Sequence, residues 1–222
     1  MEIQFLNQYR IELPDQFANE RSPMSPDSLA ERLASGAWEH EEITLLRKYL
    51  RPEDSVLEMG ACIGVLSVVT HSMLAKSSKH TVIEADPKLI PALTRNRDLN
   101  GCGFEIINAI AGVPDGAEQT FRTSDFILGG SQFKETGGVV SLPVVGLSQF
   151  KHDHDFLIMD IEGGEYRFID TFLDDLRGFS KVMIEFHPFH GYTKEDVNLY
   201  IGKLRDLGFR PVERLGHTVL FI

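Results

Sequence analysis

Val56-Leu57-Glu58-Met59-Gly60-Ala61-Cys62-Ile63-Gly64 joins a short apolar run to an acid and two glycines. The run Ser55 to Met59 reads as a buried strand and Gly64 to Leu74 as a helix, so the glycines fall in the turn between them. The free N–H groups and positive end of that helix would face a cleft. The glycine spacing is G-x-x-x-G, which differs from the G-x-G-x-x-G that seats a dinucleotide pyrophosphate. An acid at Glu58 suits a positively charged amino group better than a phosphate. Twenty residues after Gly64, the run Thr81 to Glu84 ends in a carboxylate able to accept both hydroxyls of a ribose. Together these features point to an adenosine carried without a pyrophosphate. The competing reading is that Glu58 caps a helix and the glycines only turn the chain.

Outward from this motif the chain alternates short apolar runs with helical patterns, the signature of a parallel sheet wrapped by helices. Phe104 to Ile110, Phe156 to Asp160 and Val182 to Phe186 read as further strands, and Glu165 to Leu176 as a helix. Asp86-Pro87 predicts a capped helix start running to about Asn100, and Thr193 another, stopping at Gly208. Pro211 to Leu215 and Thr218 to Ile222 form a terminal hairpin around Gly216-His217. Gly112 to Gly146 is polar and glycine-rich, expected as loops and short β pieces at a sheet edge or over a site. Residues 1–40 are irregular in pattern, with Pro14, Pro23 and Pro26, and only a short helix capped at Asp27 or Ser28. They are expected to pack as an extension on a domain spanning 41–222 that begins with a helix from Glu41 to Leu50. The fold expected is α/β: a Rossmann-like, mostly parallel sheet with a C-terminal antiparallel hairpin and helices on both faces.

A second acidic segment, Asp160-Ile161-Glu162-Gly163-Gly164-Glu165, follows a buried strand. Asp160 and Glu162 would therefore emerge at the carboxyl edge of the sheet, where open α/β folds bind ligands. Glu185 and His187 end the neighbouring strand at the same edge. An imidazole there can take a proton near neutral pH with a carboxylate orienting it. Alternatively, Asp160, Glu162, Glu185 and His187 hold a divalent metal. The plainer readings are a helix-capping acid and a hydrogen-bonded histidine. His152-Asp153-His154-Asp155 resembles a metal cluster but precedes its strand, on the opposite edge, and is read as structural. Cys62 and Cys102 have no histidine placed beside them and receive no catalytic role.

The 222 residues carry 22 Lys plus Arg against 33 Asp plus Glu, a formal net charge of -11. That balance repels a phosphate backbone, so nucleic acid is not the expected partner. Lys88, Arg95 and Arg97 on one predicted helix read as a solvated face. No apolar run is long enough to span a membrane, Met1-Glu2-Ile3-Gln4 lacks the blocks of a signal peptide, and two cysteines suggest reduced thiols. The expected address is cytoplasmic. Oligomeric state and acceptor identity have no readable code.

Four segments resemble the FkbM-type methyltransferases: Val56 to Gly64, Val82-Ile83-Glu84-Ala85-Asp86-Pro87, Phe156 to Glu165, and Ile184-Glu185-Phe186-His187-Pro188. With the Trp38-Glu39 segment that often precedes them, they cover most of the chain from Trp38 to His187. The resemblance implies a class I methyltransferase sheet and S-adenosylmethionine-dependent O-methylation of a sugar or other small natural-product-like acceptor. It implies that Glu58, Gly60 and Gly64, with Ala61 and Cys62 between them, line the methionine end. Glu84 and Ala85 would take the ribose, Asn108 and Ala109 the adenine side, and Glu39 would close over the cofactor, with Asp160 at the join to the catalytic group Asp160, Glu162, Glu185 and His187. The family usually has Asp at Glu58, Asn at Cys62 and Lys at Ile158, and the last departure removes a charge near the catalytic edge. Two alternatives are a catalytically silent module that binds S-adenosylmethionine and an NAD-dependent oxidoreductase, the latter opposed by the missing G-x-G-x-x-G.

Overall fold

Apolar residues spaced two apart shape the N-terminal segment into β1 (Glu2–Phe5) and β2 (Tyr9–Glu12), an antiparallel pair. This hairpin corrects the irregular reading of the segment. Its turn holds Leu6 and Asn7 at φ +50° and +57°, and the absence of glycine there hid it from the sequence. The computed structural model describes residues 1–21, 27–112, 116–123, 138–188 and 191–222. Pro23, Pro26 and, of the expected selector loops, residues 113–115 and 124–137 lie outside the described residues. The helix α1 (Leu29–Ser35) starts at Ser28, whose hydroxyl accepts the Glu31 N–H while Glu31 reaches back to the Ser28 N–H. It is followed by α2 (His40–Tyr49).

The alternating region then unfolds in order: β3 (Val56–Met59), α3 (Val65–Met73), β4 (His80–Glu84), α4 (Ile90–Leu99), β5 (Glu105–Asn108), β6 (Ile110–Ala111), β7 (Glu118–Thr123) and β8 (Gly138–Val145). It continues through β9 (Phe156–Met159), α5 (Glu165–Phe172), β10 (Lys181–Glu185), α6 (Lys194–Asp206), β11 (Pro211–Leu215) and β12 (Thr218–Phe221). Seven strands form one sheet in the order β11-β12-β10-β9-β3-β4-β5. The five strands from β10 to β5 run parallel, while β12 pairs antiparallel to both β10 and β11. The expected α/β sheet with a terminal antiparallel hairpin is what the chain forms. Every residue of β3, β4 and β9 is buried, because helices cover both faces. One face packs Val56, Val82 and Ile158 against Leu46, Val68 and Leu93 of α2, α3 and α4. The other packs Leu57, Met159 and Ile184 against Tyr166, Ile169 and Leu204 of α5 and α6.

Two local expectations are corrected. Asp86 does not cap α4: its carboxylate accepts the Lys88 N–H and its carbonyl the Leu89 N–H, closing a turn, and Pro91 rather than Pro87 lies in the first helical turn. The strand expected from Phe104 to Ile110 divides after Asn108, and β6 leaves to join a separate sheet in the order β6-β8-β7. The basic residues of α4 are engaged by acids, Arg95 by Glu12 at 2.6 Å and Arg97 by Asp98 at 2.8 Å. Among the described residues no helix is long and apolar enough to cross a membrane.

The N-terminal segment is bonded into this layer rather than laid over it. Phe5, Tyr9, Ile11, Leu13, Phe17, Leu29 and Leu33 belong to the same buried cluster as Val68 and Leu93. Asn96 of α4 is fully buried: its amide nitrogen donates to the carbonyls of Glu12 (3.2 Å) and Ile63 (2.8 Å), and its oxygen accepts the Glu12 N–H (2.6 Å). One side chain thus ties the hairpin to the turn after β3. Asn96→Ala strands those buried backbone groups and should cost about 2–3 kcal/mol, a fall in Tm of roughly 4–12 °C at this chain length. Calorimetry checks it, and an unchanged Tm would show that the tie carries no stability.

Candidate active site

The turn after β3 is built around a backbone contact. Gly60 has φ +88°, and a Cβ placed on it would lie 1.5 Å from the carbonyl oxygen of Asp160. Its missing side chain makes room for the end of β9, so the turn and the acidic strand end form one surface. Gly64, before α3, has φ +83°, a conformation that favours glycine, and a Cβ there would press on the tip of the Leu93 side chain at 2.5 Å. Ala61 between them is buried. Glu58 is 1% exposed, with one carboxylate oxygen accepting the Ser67 hydroxyl at 2.6 Å and the other 3.2 Å from His80 Nε2. It braces α3 and β4 from beneath the turn.

Glu84, at the end of β4, accepts the Cys62 N–H (2.8 Å) and the Asp86 N–H (2.7 Å), one on each oxygen. Burial raises its pKa to about 7 against those two bonds. Each oxygen keeps a lone pair for a further donor. Asn108 donates its amide to the carbonyls of Glu84 and Ala85, at 2.8 and 3.1 Å, and the Ala109 N–H also reaches the Glu84 carbonyl. Ala85 packs against the small sheet around Ile110, Phe121 and Val144. Four of the expected cofactor residues therefore meet at one corner, the ends of β4 and β5.

Across the turn, the ends of β9 and β10 bring Asp160, Glu185 and His187 together, with one donor atom of each within 4.8 Å of the others. His187 Nε2 lies 3.6 Å from Asp160, and 3.9 Å from both Glu162 and Glu185. Its Nδ1–H donates to Glu165 at 3.1 Å. A carboxylate only accepts, which fixes this tautomer and aims Nε2 at the other acids. Burial opposes a charged ring, but the bond to Glu165 and the charges of Glu165, Glu162 and Glu185 outweigh it and push the pKa up to about 9. The bond to Glu165 leaves Nε2 as the ring nitrogen that faces Asp160, Glu162 and Glu185, the one from which His187 would act as the expected proton acceptor. Burial and then Glu42 push Glu185 up to about 7, while burial and then Glu185 and Glu162 hold Asp160 well above the carboxylate range.

Glu39 joins both halves. It stands before α2 at φ +54°, accepts the Trp38 indole N–H at 2.7 Å, and is raised well above its ordinary pKa by burial and then by Glu42 and Glu185. Glu39, Cys62 and Glu162 are three of the five non-glycine residues with positive φ among the described residues, and all three border this site. Such strain gathers where a site dictates backbone direction.

Glu165 is the site residue that sequence reading passed over. Fully buried, it accepts the Ile161 and Gly163 N–H groups at 3.0 and 3.2 Å as well as His187. Its place as the last acid of the 160–165 segment was visible, but its use as the support of His187 depends on a contact between β10 and α5. The 152–155 cluster is structural, as read: His154 lies between the Phe150 carbonyl and the Thr81 hydroxyl, Asp155 accepts the Ser55 N–H, and Asp153 pairs with Lys79. Burial raises the thiol pKa of Cys62 well up and that of Cys102 to about 11, leaving neither as a nucleophile.

Among solved structures, the chain is similar to a putative RNA methyltransferase of Pyrococcus horikoshii, with TM-score 0.52 and 16% identity, covering 95% of this chain and 91% of the other. It is also similar to precorrin-6y C5,15-methyltransferase of Geobacter metallireducens, with TM-score 0.50 and 11% identity over 95% of each chain. At these identities the likeness shows the fold, that of the class I methyltransferases. Among curated proteins none matches the sequence. The family model described as the methyltransferase FkbM domain matches residues 58–211, from the acid of the first turn to the start of β11. The chain belongs to the FkbM methyltransferase family, whose members draw the methyl group from S-adenosylmethionine.

Proposed function

We propose that this chain methylates a hydroxyl oxygen of a sugar or another small acceptor. The observation that carries the reading is the group of Asp160, Glu185 and His187 at the sheet edge, directly beside the Gly60 turn. In this reading Glu84, Ala85, Asn108 and Ala109 hold the adenosine of S-adenosylmethionine, and the turn from Gly60 to Gly64 its methionine end. The fit rests on the lone pairs that Glu84 keeps beyond its bonds to the Cys62 and Asp86 N–H groups. When bound, the cofactor supplies a methyl group on a sulfonium, so that the S–C bond breaks as the O–C bond forms, leaving S-adenosylhomocysteine and a proton.

The side chains at the edge hold the acceptor. Asp160, Glu162 and Glu185, each within 3.9 Å of His187 Nε2, can hydrogen-bond the acceptor hydroxyl, orient its oxygen and, where ionised, take up the released proton. Alignment of this kind is worth about 7–11 kcal/mol, more than the 10²- to 10⁴-fold of a positioned base. An acid-lined edge on a chain of net charge -11 favours an uncharged hydroxyl acceptor over a phosphate backbone. The silent-module alternative predicts binding without turnover.

S-adenosylhomocysteine and S-adenosylmethionine at about 100 times Kd should each add about 2.7 kcal/mol of stability, raising Tm by roughly 5–11 °C, with no shift from NAD. A shift with NAD alone would reverse the assignment. If the ionised Glu84 receives the ribose hydroxyls, nucleoside affinity rises with pH through about 7. Only the deprotonated fraction binds well, so affinity at pH 6 should be about tenfold below its plateau. Glu84→Gln should flatten that profile, and a wild-type profile already flat would remove the role. Glu185→Gln should leave nucleoside affinity within about twofold but lower labelled-methyl transfer to hydroxylated acceptors by at least about 100-fold. Undiminished turnover would place the acceptor elsewhere.

A further inference from the structure

The edge group has the composition and support of a metal site. Asp160, Glu185 and His187 come from the ends of two adjacent strands, β9 and β10, so the sheet itself fixes their separations. The ring of His187 is 9% exposed and cannot turn, because Glu165 takes its Nδ1–H while also accepting the Ile161 and Gly163 N–H groups. A histidine whose second nitrogen is held by a buried carboxylate, with Nε2 aimed at further carboxylates, is the arrangement that orients imidazole ligands. Asp160 Oδ1 is buried and has no hydrogen-bond partner among the described residues, and it lies 3.6 Å from Nε2. A buried oxygen without a hydrogen bond is the kind of atom that a bound ion or water satisfies. Among the described residues neither Asp160 nor Glu185 is paired with a lysine or an arginine. The separations of 3.6 and 3.9 Å from Nε2 to the two carboxylates correspond to angles of about 110–155° at an ion with bonds of about 2.0–2.2 Å.

We propose that Asp160, Glu185 and His187 bind one divalent first-row transition ion of the Mn²⁺ type, which receives the acceptor's hydroxyl oxygen in the open part of its shell. Two carboxylate oxygens and one imidazole nitrogen suit such an ion better than Ca²⁺ or Mg²⁺, which take oxygen ligands. Glu162, with its carboxylate 3.9 Å from Nε2 and a side chain 36% exposed, is the base at the rim. Coordination weakens the O–H bond, the proton passes to Glu162 and then to solvent, and the oxygen carries its electron pair to the methyl carbon. The placement of the acceptor rests on the methyl-transfer reading, whereas the ion site rests on the three ligands and Glu165.

The test is titration of the chelator-treated full chain with Mn²⁺, following loss of the free-ion electron paramagnetic resonance signal, with parallel thermal unfolding in S-adenosylhomocysteine. One Mn²⁺ should bind per chain. His187→Ala should abolish binding, and Glu165→Gln, which leaves all three ligands in place, should weaken it by about 10- to 100-fold. Retention of the nucleoside shift in both variants establishes that they fold. Absence of saturable Mn²⁺ binding by wild type, or equal binding by His187→Ala, overturns the site. Methyl transfer undiminished in chelator overturns its catalytic part. A nucleoside shift without ion binding would leave the methyl-transfer reading standing and remove this one. Ion binding without a nucleoside shift would do the reverse.

Discussion

The passage of the Gly60 backbone against the Asp160 carbonyl organises this molecule. β3 and β9 pair in parallel from Val56 with Phe156 to Met59 with Met159, and that register delivers both chain segments to the same edge at the same height. Without a side chain at Gly60 the turn closes over the end of β9, and the corner at the ends of β4 and β5 and the acidic group become neighbours. Any larger residue would have to displace backbone, which does not yield as a flexible side chain does.

Charge is then concentrated on one side of this contact. Glu39, Glu42, Asp160, Glu162, Glu165 and Glu185 gather around a single histidine, and burial with mutual repulsion drives Glu39, Glu42, Asp160 and Glu185 upward in pKa. Repulsion of this kind works against folding, and the helices on both faces of the sheet supply the apolar burial that offsets it. Groups perturbed in this way cluster at functional sites. The positive φ of Glu39, Cys62 and Glu162 marks the same region through backbone strain.

Much of this was legible in the chain. The buried strands declare themselves through unbroken apolar runs, and the acids at Glu84, Asp160 and Glu185 through their positions at strand ends. The N-terminal hairpin was not legible, because its turn uses Leu6 and Asn7 where glycine would have signalled it. The start of α4 was misread because the Asp86 side chain, a strong cap in sequence, closes a turn instead. The role of Glu165 as the support of His187 was hidden for another reason: it arises from one contact between α5 and the end of β10, and no local pattern records it.

A crystal structure of the chain with S-adenosylhomocysteine tests the central claim most directly. The expected result places the ribose on Glu84, the adenine beside Asn108, and the sulfur between the Gly60 turn and the edge formed by Asp160, Glu185 and His187. A nucleoside bound elsewhere, or with its sulfur turned away from that edge, would contradict the account.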